Sequence, residues 1–145
     1  MPHIDNAYPY QMLDWYPHMR PKDRLIWDIF ITQNPDAFLK VWYDVRVGDD
    51  DDIEKSCPAI IQADWHDLTM WQIDVVAEDE KKIYVIEIKP MANAKAVGQA
   101  LAYAALYEED HKPKKPVVPV VLTDVAIKTL LRCAQHCGVE VWAIS

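Results

Sequence analysis

The stretch YVIEIKP, residues 84 to 90, sets a carboxylate and an ammonium into an otherwise apolar run. A strand turns every second residue to one face, so Glu87 and Lys89 emerge on the same side. Charges in such a setting are costly unless they are paired or bound to a metal. A second apolar run, MWQIDVVA, carries Asp74, and the polar stretch EDEK joins the two. That order predicts a hairpin. With an even-numbered turn around Asp79 and Glu80, Asp74 faces Val85 and Gln72 faces Glu87. One face then carries Gln72, Asp74 and Val76 beside Ile83, Val85, Glu87 and Lys89. The other, with Trp71, Ile73, Val75 and Ala77 beside Tyr84, Ile86 and Ile88, is core. An odd-numbered turn would send Asp74 to the core face instead. In the even case Asp74 and Glu87 are diagonal neighbours, about 7–8 Å apart at the backbone. Two acids and one base leave a net negative charge, which a hard cation such as magnesium resolves and a buried ion pair does not.

The elements that must position these residues follow from pattern and punctuation. RPKDRLIWDIFITQ opens with Pro21 and places Leu25, Ile26, Ile29 and Phe30 at helical spacing. A strand is predicted from about Leu39 to Val47, closed by Gly48. A long polar loop then runs to about Thr69, where the hairpin begins. NAKAVGQALAYAALYEED is rich in Ala and Leu, which predicts a helix. The basic, Pro-punctuated linker HKPKKP precedes a strand, VVPVVLT, in which Pro119 suggests an edge or bulge position. DVAIKTLLRCAQHCG predicts a helix with Asp124 as N-cap and Gly138 as stop, and VEVWAIS a last strand. The order α-β-β-β-α-β-α-β predicts an α/β fold, a mixed central sheet flanked by helices. Residues 1 to 20 are rich in Tyr, Trp, Pro and His and are expected to form an irregular arm packed by its aromatics. Residues 21 to 145 form a single domain.

With 145 residues the chain is long enough for a core without staples. Its apolar runs fall short of the ~20 residues of a membrane span, so no membrane partner is expected. The first ten residues lack signal-peptide order, and three cysteines argue against a disulfide framework, so a cytoplasmic location is expected. The net charge of −8 does not suggest nucleic-acid binding, but GDDDDIEK alone holds five acids. Setting those five aside leaves 18 of the 23 acids against 15 bases, so the acidity is largely local. That run is read as a solvated loop rather than a calcium site. Cys133, His136 and Cys137 could begin a zinc site, but no fourth ligand is evident and structural cysteines are the preferred reading. Asp64, His66 and Asp67 fall in the long loop and are read as solvated.

An acid in one strand, a short turn, then Glu-x-Lys near the end of the next resembles the PD-(D/E)xK nuclease superfamily. Here the pattern is Asp74, then EIK from Glu87 to Lys89. GQALAYAALY resembles the Gln-x-x-x-Tyr helix motif of the subgroup that includes helicase-associated exonucleases. Gln99 and Tyr103, four apart, share a helical face. The chain departs from the family pattern with Ile73 where Pro usually precedes the first acid. It also has no Glu on the first helix, where Asp23 and Asp28 are the available acids and Asp23 is favoured.

The resemblance implies a restriction-endonuclease-like αβββαβ core over about residues 21 to 122, with an extra C-terminal helix and strand. It implies magnesium- or manganese-dependent phosphodiester hydrolysis, in DNA as the first expectation and with RNA left open. Asp74, Glu87 and the backbone carbonyl of Ile88 would hold the ion. Lys89 would orient water and offset charge on the phosphorane, Gln99 would hold the nucleophile or the DNA backbone, and Tyr103 and Asp23 would support the site. Arg20, Lys22, Arg24, Lys95, Lys112, Lys114 and Lys115 are the expected nucleic-acid contacts. An acidic chain without a separate recognition domain implies a structure- or end-directed enzyme that works with a homodimer mate or a partner protein. The rival expectation is a nuclease-fold binding or assembly module without turnover, or a subunit active only in a complex.

Overall fold

The computed structural model describes residues 7–49 and 70–144. The acidic run beyond Asp49 and the loop residues Asp64, His66 and Asp67 lie outside them. The architecture is mixed α/β. Six strands, β1 (Tyr8–Pro9), β2 (Lys40–Gly48), β3 (Met70–Glu78), β4 (Ile83–Ile88), β5 (Val117–Thr123) and β6 (Glu140–Ala143), lie side by side in chain order. β1 to β4 pair antiparallel, and β4, β5 and β6 run parallel. Among the described residues three helices cover the sheet: α1 (Pro21–Gln33), α2 (Ala94–His111) and α3 (Lys128–Cys137).

Each strand's two-residue period feeds a different core. Ile26, Trp27, Phe30 and Ile31 of α1 pack with Val41, Tyr43, Val75, Ile86, Ile88, Val120 and Leu122 on one face. Leu25 points outward, 61% exposed, and Trp27 takes the inward place. On the other face α2 lays Ala104 and Tyr107 on Trp42, Val76, Ile83 and Val85, while Ala96 and Ala100 meet Val121 and α3. Alanines at these contacts let helix and sheet backbones approach closely. The arm packs as its composition predicts. Tyr16 is fully buried against Tyr43, and Tyr10 meets Trp27 and Phe38 edge-on. It also adds a short edge strand, β1, that its sequence did not announce.

Local chemistry sets the ends. Asn93 caps α2 by accepting the Lys95 N–H at 3.1 Å. Gly138 ends α3 at φ 75°, a left-handed turn that glycine adopts freely. Asp124 is not the cap of α3. Its carboxylate accepts the Met91 N–H at 2.8 Å, while Thr123 Oγ1 accepts the Ala92 N–H at 3.2 Å, and together they anchor the turn after β4. Pro119 sits in an interior strand, but it precedes Val120, where β6 begins to pair, so no ladder bond is lost. Among the described residues no helix is long and apolar enough to cross a membrane.

The hairpin register differs from expectation. Val76, not Asp74, faces Val85. Asp79 is the cause. Its carboxylate accepts the N–H groups of Lys81 and Lys82 at 2.8 and 2.7 Å and the Tyr84 hydroxyl at 2.9 Å. The turn therefore takes four residues, 79 to 82, and the pairing slips by two. An even slip keeps the faces, so Val76, Ile83 and Val85 still share one core and Val75, Ala77 and Ile86 the other. Ile73 is the exception. It packs with Val45 and Val76 on the α2 face, because β2 and β3 exchange faces together at Asp44 and Asp74. Asp44 has a left-handed backbone, φ 53°. On either side the β2–β3 pairing keeps one register.

Candidate functional site

The last β3–β4 ladder pair is Val75 with Ile86. One position beyond it stand Asp74 and Glu87, where the strands part. The Ile88 N–H donates to Asp74 Oδ2 at 2.9 Å, so a carboxylate takes the place of a backbone partner. Glu87 continues the α2-side alternation of Ile83 and Val85 and is 7% exposed. Its carboxyl shares a hydrogen bond with Asp74. Two acids in contact cannot both ionise cheaply. Burial first, then the Asp74 contact and the charge of Asp23, hold the Glu87 carboxyl far above the usual carboxylate range, and Lys89 offsets part of this.

A cavity of about 730 Å³ opens here, at the C-terminal end of β4. Its walls include Asp74, Glu87, Ile88, Lys89 and Gln99, which the sequence pattern singled out, together with Arg20, Lys22 and Asp23. Asp23 feels both Asp74 and Lys89, and burial raises its carboxyl above the ordinary value. Asp28 is elsewhere engaged, accepting from the Tyr16 hydroxyl and pairing with Arg24 at 3.6 Å. Tyr103 hydrogen-bonds Gln99, and its hydroxyl is raised by burial and by the charges of Glu87 and Asp74. Its ring rests on Trp71. The helical Gln-x-x-x-Tyr spacing thus converges with the two acids.

Other expected contacts are dispersed. Lys115 donates to the Asp79 carbonyl at 2.8 Å and pairs with Glu78 at 2.7 Å, at the hairpin-turn end of the sheet and away from the cavity. Lys112 forms the left-handed C-cap of α2, and the exposed Lys114 follows in the same linker. Lys95 is exposed in the first turn of α2. Cys133 is half-buried and Cys137 exposed, and both are free thiols.

Two cavity residues escaped the sequence pattern. Asp44 and His18 line it and pair at 3.3 Å. Both have φ 53°, and the only other non-glycine residues with positive φ among those described are Met91 and Lys112. The sequence signals were an acid inside the apolar run of β2 and a histidine set between Pro17 and Pro21.

Among the described residues no group of three or more His, Cys, Asp or Glu side chains is gathered closely enough to hold an ion. Magnesium does not require three. It keeps several waters and binds through one or two carboxylates plus substrate phosphate oxygens. A buried acid whose neighbour is a second acid has the donor chemistry that such an ion fits.

The electrostatics carry a pH signature. Glu87 holds its proton more tightly when folded than when unfolded. Its contribution is therefore greatest below the unfolded carboxylate value and is lost as pH rises toward the raised folded value. Asp23 acts in the same sense, whereas the lowered Asp79 and Asp124 act at acid pH. Without divalent ions, the melting temperature should fall from about pH 5 to about pH 9. Glu87→Gln should flatten that fall. An unchanged slope in the variant would assign the titration to other groups.

No family model matches the chain, and neither does any curated protein or solved structure.

Proposed function

We propose that the chain is a metal-dependent nuclease of the PD-(D/E)xK type, hydrolysing phosphodiester bonds, with DNA as the first substrate to test. The observation that carries the proposal is the buried Asp74–Glu87 contact, opening with Lys89 and Gln99 onto one cavity. The order of elements from α1 to β5 fits the αβββαβ core of that superfamily. Asp74, Glu87 and the Ile88 carbonyl would hold magnesium or manganese. The chemistry supplied by such an ion is polarisation of the phosphate and activation of water. Lys89 orients the attacking water and stabilises negative charge that develops on the phosphate. Gln99, steadied by Tyr103, positions the nucleophile or the strand. Arg20 and Lys22 meet the phosphate backbone at the cavity mouth.

The test is cleavage of plasmid, linear and branched DNA, and of RNA. Magnesium or manganese should support cleavage, and chelation should abolish it. Calcium should support binding without turnover, since it accepts looser geometry. Full activity in chelator would refute the metal assignment. Gln99→Ala should lower activity per folded molecule by about tenfold or more, the loss of roughly one charge-assisted hydrogen bond, with little change in melting temperature. A variant that unfolds yet keeps its activity per folded molecule would make Gln99 structural.

The net charge of −8 favours a second reading, a nuclease-fold binding or assembly module without turnover. Magnesium-dependent binding of DNA with no cleavage of any of these substrates would select it.

A further inference from the structure

We propose that His18, held by Asp44, protonates the leaving oxygen of the phosphodiester; the proposal rests on the nuclease assignment and adds a residue to that site. The imidazole Nε2 lies 3.3 Å from Asp44 Oδ2, and the side chain is 66% exposed along the cavity wall. Among the described residues Nδ1 has no partner, so the ring is fixed through one nitrogen and presents the other. A protonated imidazole donates from both.

Position selects the role. Glu87 continues the α2-side alternation of Ile83 and Val85, and Gln99 stands on α2, whereas the arm packs with α1 on the opposite side, through Tyr16 and Met19. An in-line displacement puts attacking and leaving oxygens on opposite sides of phosphorus. With the water handled from the side of Glu87 and Gln99, the arm faces the leaving group. Besides Asp44, the charged groups around this cavity are Arg20, Lys22 and Asp23 from the start of α1, Asp74 from β3, and Glu87 and Lys89 from β4. His18 is the only imidazole among the described lining residues.

Backbone strain points the same way. A left-handed conformation at a non-glycine residue is uncommon and strained, and such residues gather at functional sites. Here two of them are paired to each other across the cavity wall. In the step itself, the water oxygen bonds to phosphorus. The bond from phosphorus to the leaving oxygen breaks, with its electron pair on that oxygen. The Nδ1 proton moves to it, and the proton released by the attacking water passes to solvent, from which the ring is reprotonated.

The experiment compares wild type and His18→Gln in magnesium on two kinds of oligonucleotide. One is all-oxygen; the others carry a single bridging sulfur at the 3′ or the 5′ side of the scissile phosphorus. A thiolate leaves without protonation. His18→Gln should be slower by ~10²-fold or more on the oxygen ester, the usual contribution of a general acid. It should approach wild type on the sulfur ester whose bridging atom is the leaving group. Oligonucleotide affinity in calcium and the melting temperature should be the same for both proteins. Equal losses on oxygen and sulfur esters, no loss on oxygen, or a weakened affinity that accounts for the loss would each overturn the proposal. A wild type that cleaves none of these substrates would remove the nuclease assignment, and His18's role with it.

Discussion

Lys89→Ala should lower turnover by ~10²–10³-fold, as loss of an electrostatic donor in an active site does, while leaving the fold and divalent-ion binding in place. Lys89 is exposed, so its side chain contributes little to the core. Its charge acts on Glu87 and Asp23, the two raised carboxyls of the cavity. If Glu87 and Lys89 were only an ion pair, removing both would be better tolerated than removing either, because a single removal strands a buried charge. A catalytic site predicts otherwise. The Glu87→Ala/Lys89→Ala double variant should be as inactive as Glu87→Ala and no less stable than Lys89→Ala. Cleavage rates and melting temperatures of the three proteins decide between the two patterns.

The two acids should part company in stability. Asp74→Ala and Glu87→Ala should each abolish magnesium-dependent cleavage, but only Asp74→Ala should destabilise the metal-free protein. Asp74 is the acceptor for the Ile88 N–H, and a buried donor left unsatisfied costs about 1–3 kcal/mol. Glu87 by contrast is kept protonated in the fold at pH 8, where the unfolded carboxyl is ionised, and this costs stability, so its removal should raise the melting temperature. Denaturant unfolding of both variants in chelator measures the difference. Equal destabilisation would mean that Glu87 packs as core rather than being held there for chemistry.

Much of this arrangement was legible before any coordinates. β5 falls on VVPVVLT, and α1 and α2 lie within a residue of their predicted bounds, because capping and alanine-rich periodicity act locally. The same locality explains the convergence of Gln99 with the acids, once Pro90 ends the strand and Asn93 starts the helix. The register slipped because Asp79 spends its carboxylate on the turn's own backbone. The exchange of faces at Asp44 was hidden for a different reason. It needs a positive φ at a residue other than glycine, which no alternation pattern reports. His18 was hidden likewise, since the arm's path follows from tertiary packing of Tyr10 and Tyr16 rather than from any period. The basic linker's place relative to the cavity was hidden because charge alone does not say which end of a sheet a loop will occupy, and Lys115 is held at the hairpin-turn end by Glu78.

The central claim, that Asp74 and Glu87 together hold a divalent cation, is tested most directly by melting temperature across a magnesium titration. Wild type should gain stability with magnesium, increasingly so as pH rises, because the ion must displace the proton of the raised Glu87 carboxyl into solvent. Lys89→Ala should keep that gain, and Glu87→Ala should lose it. A magnesium-induced stabilisation that survives Glu87→Ala unchanged would contradict the account.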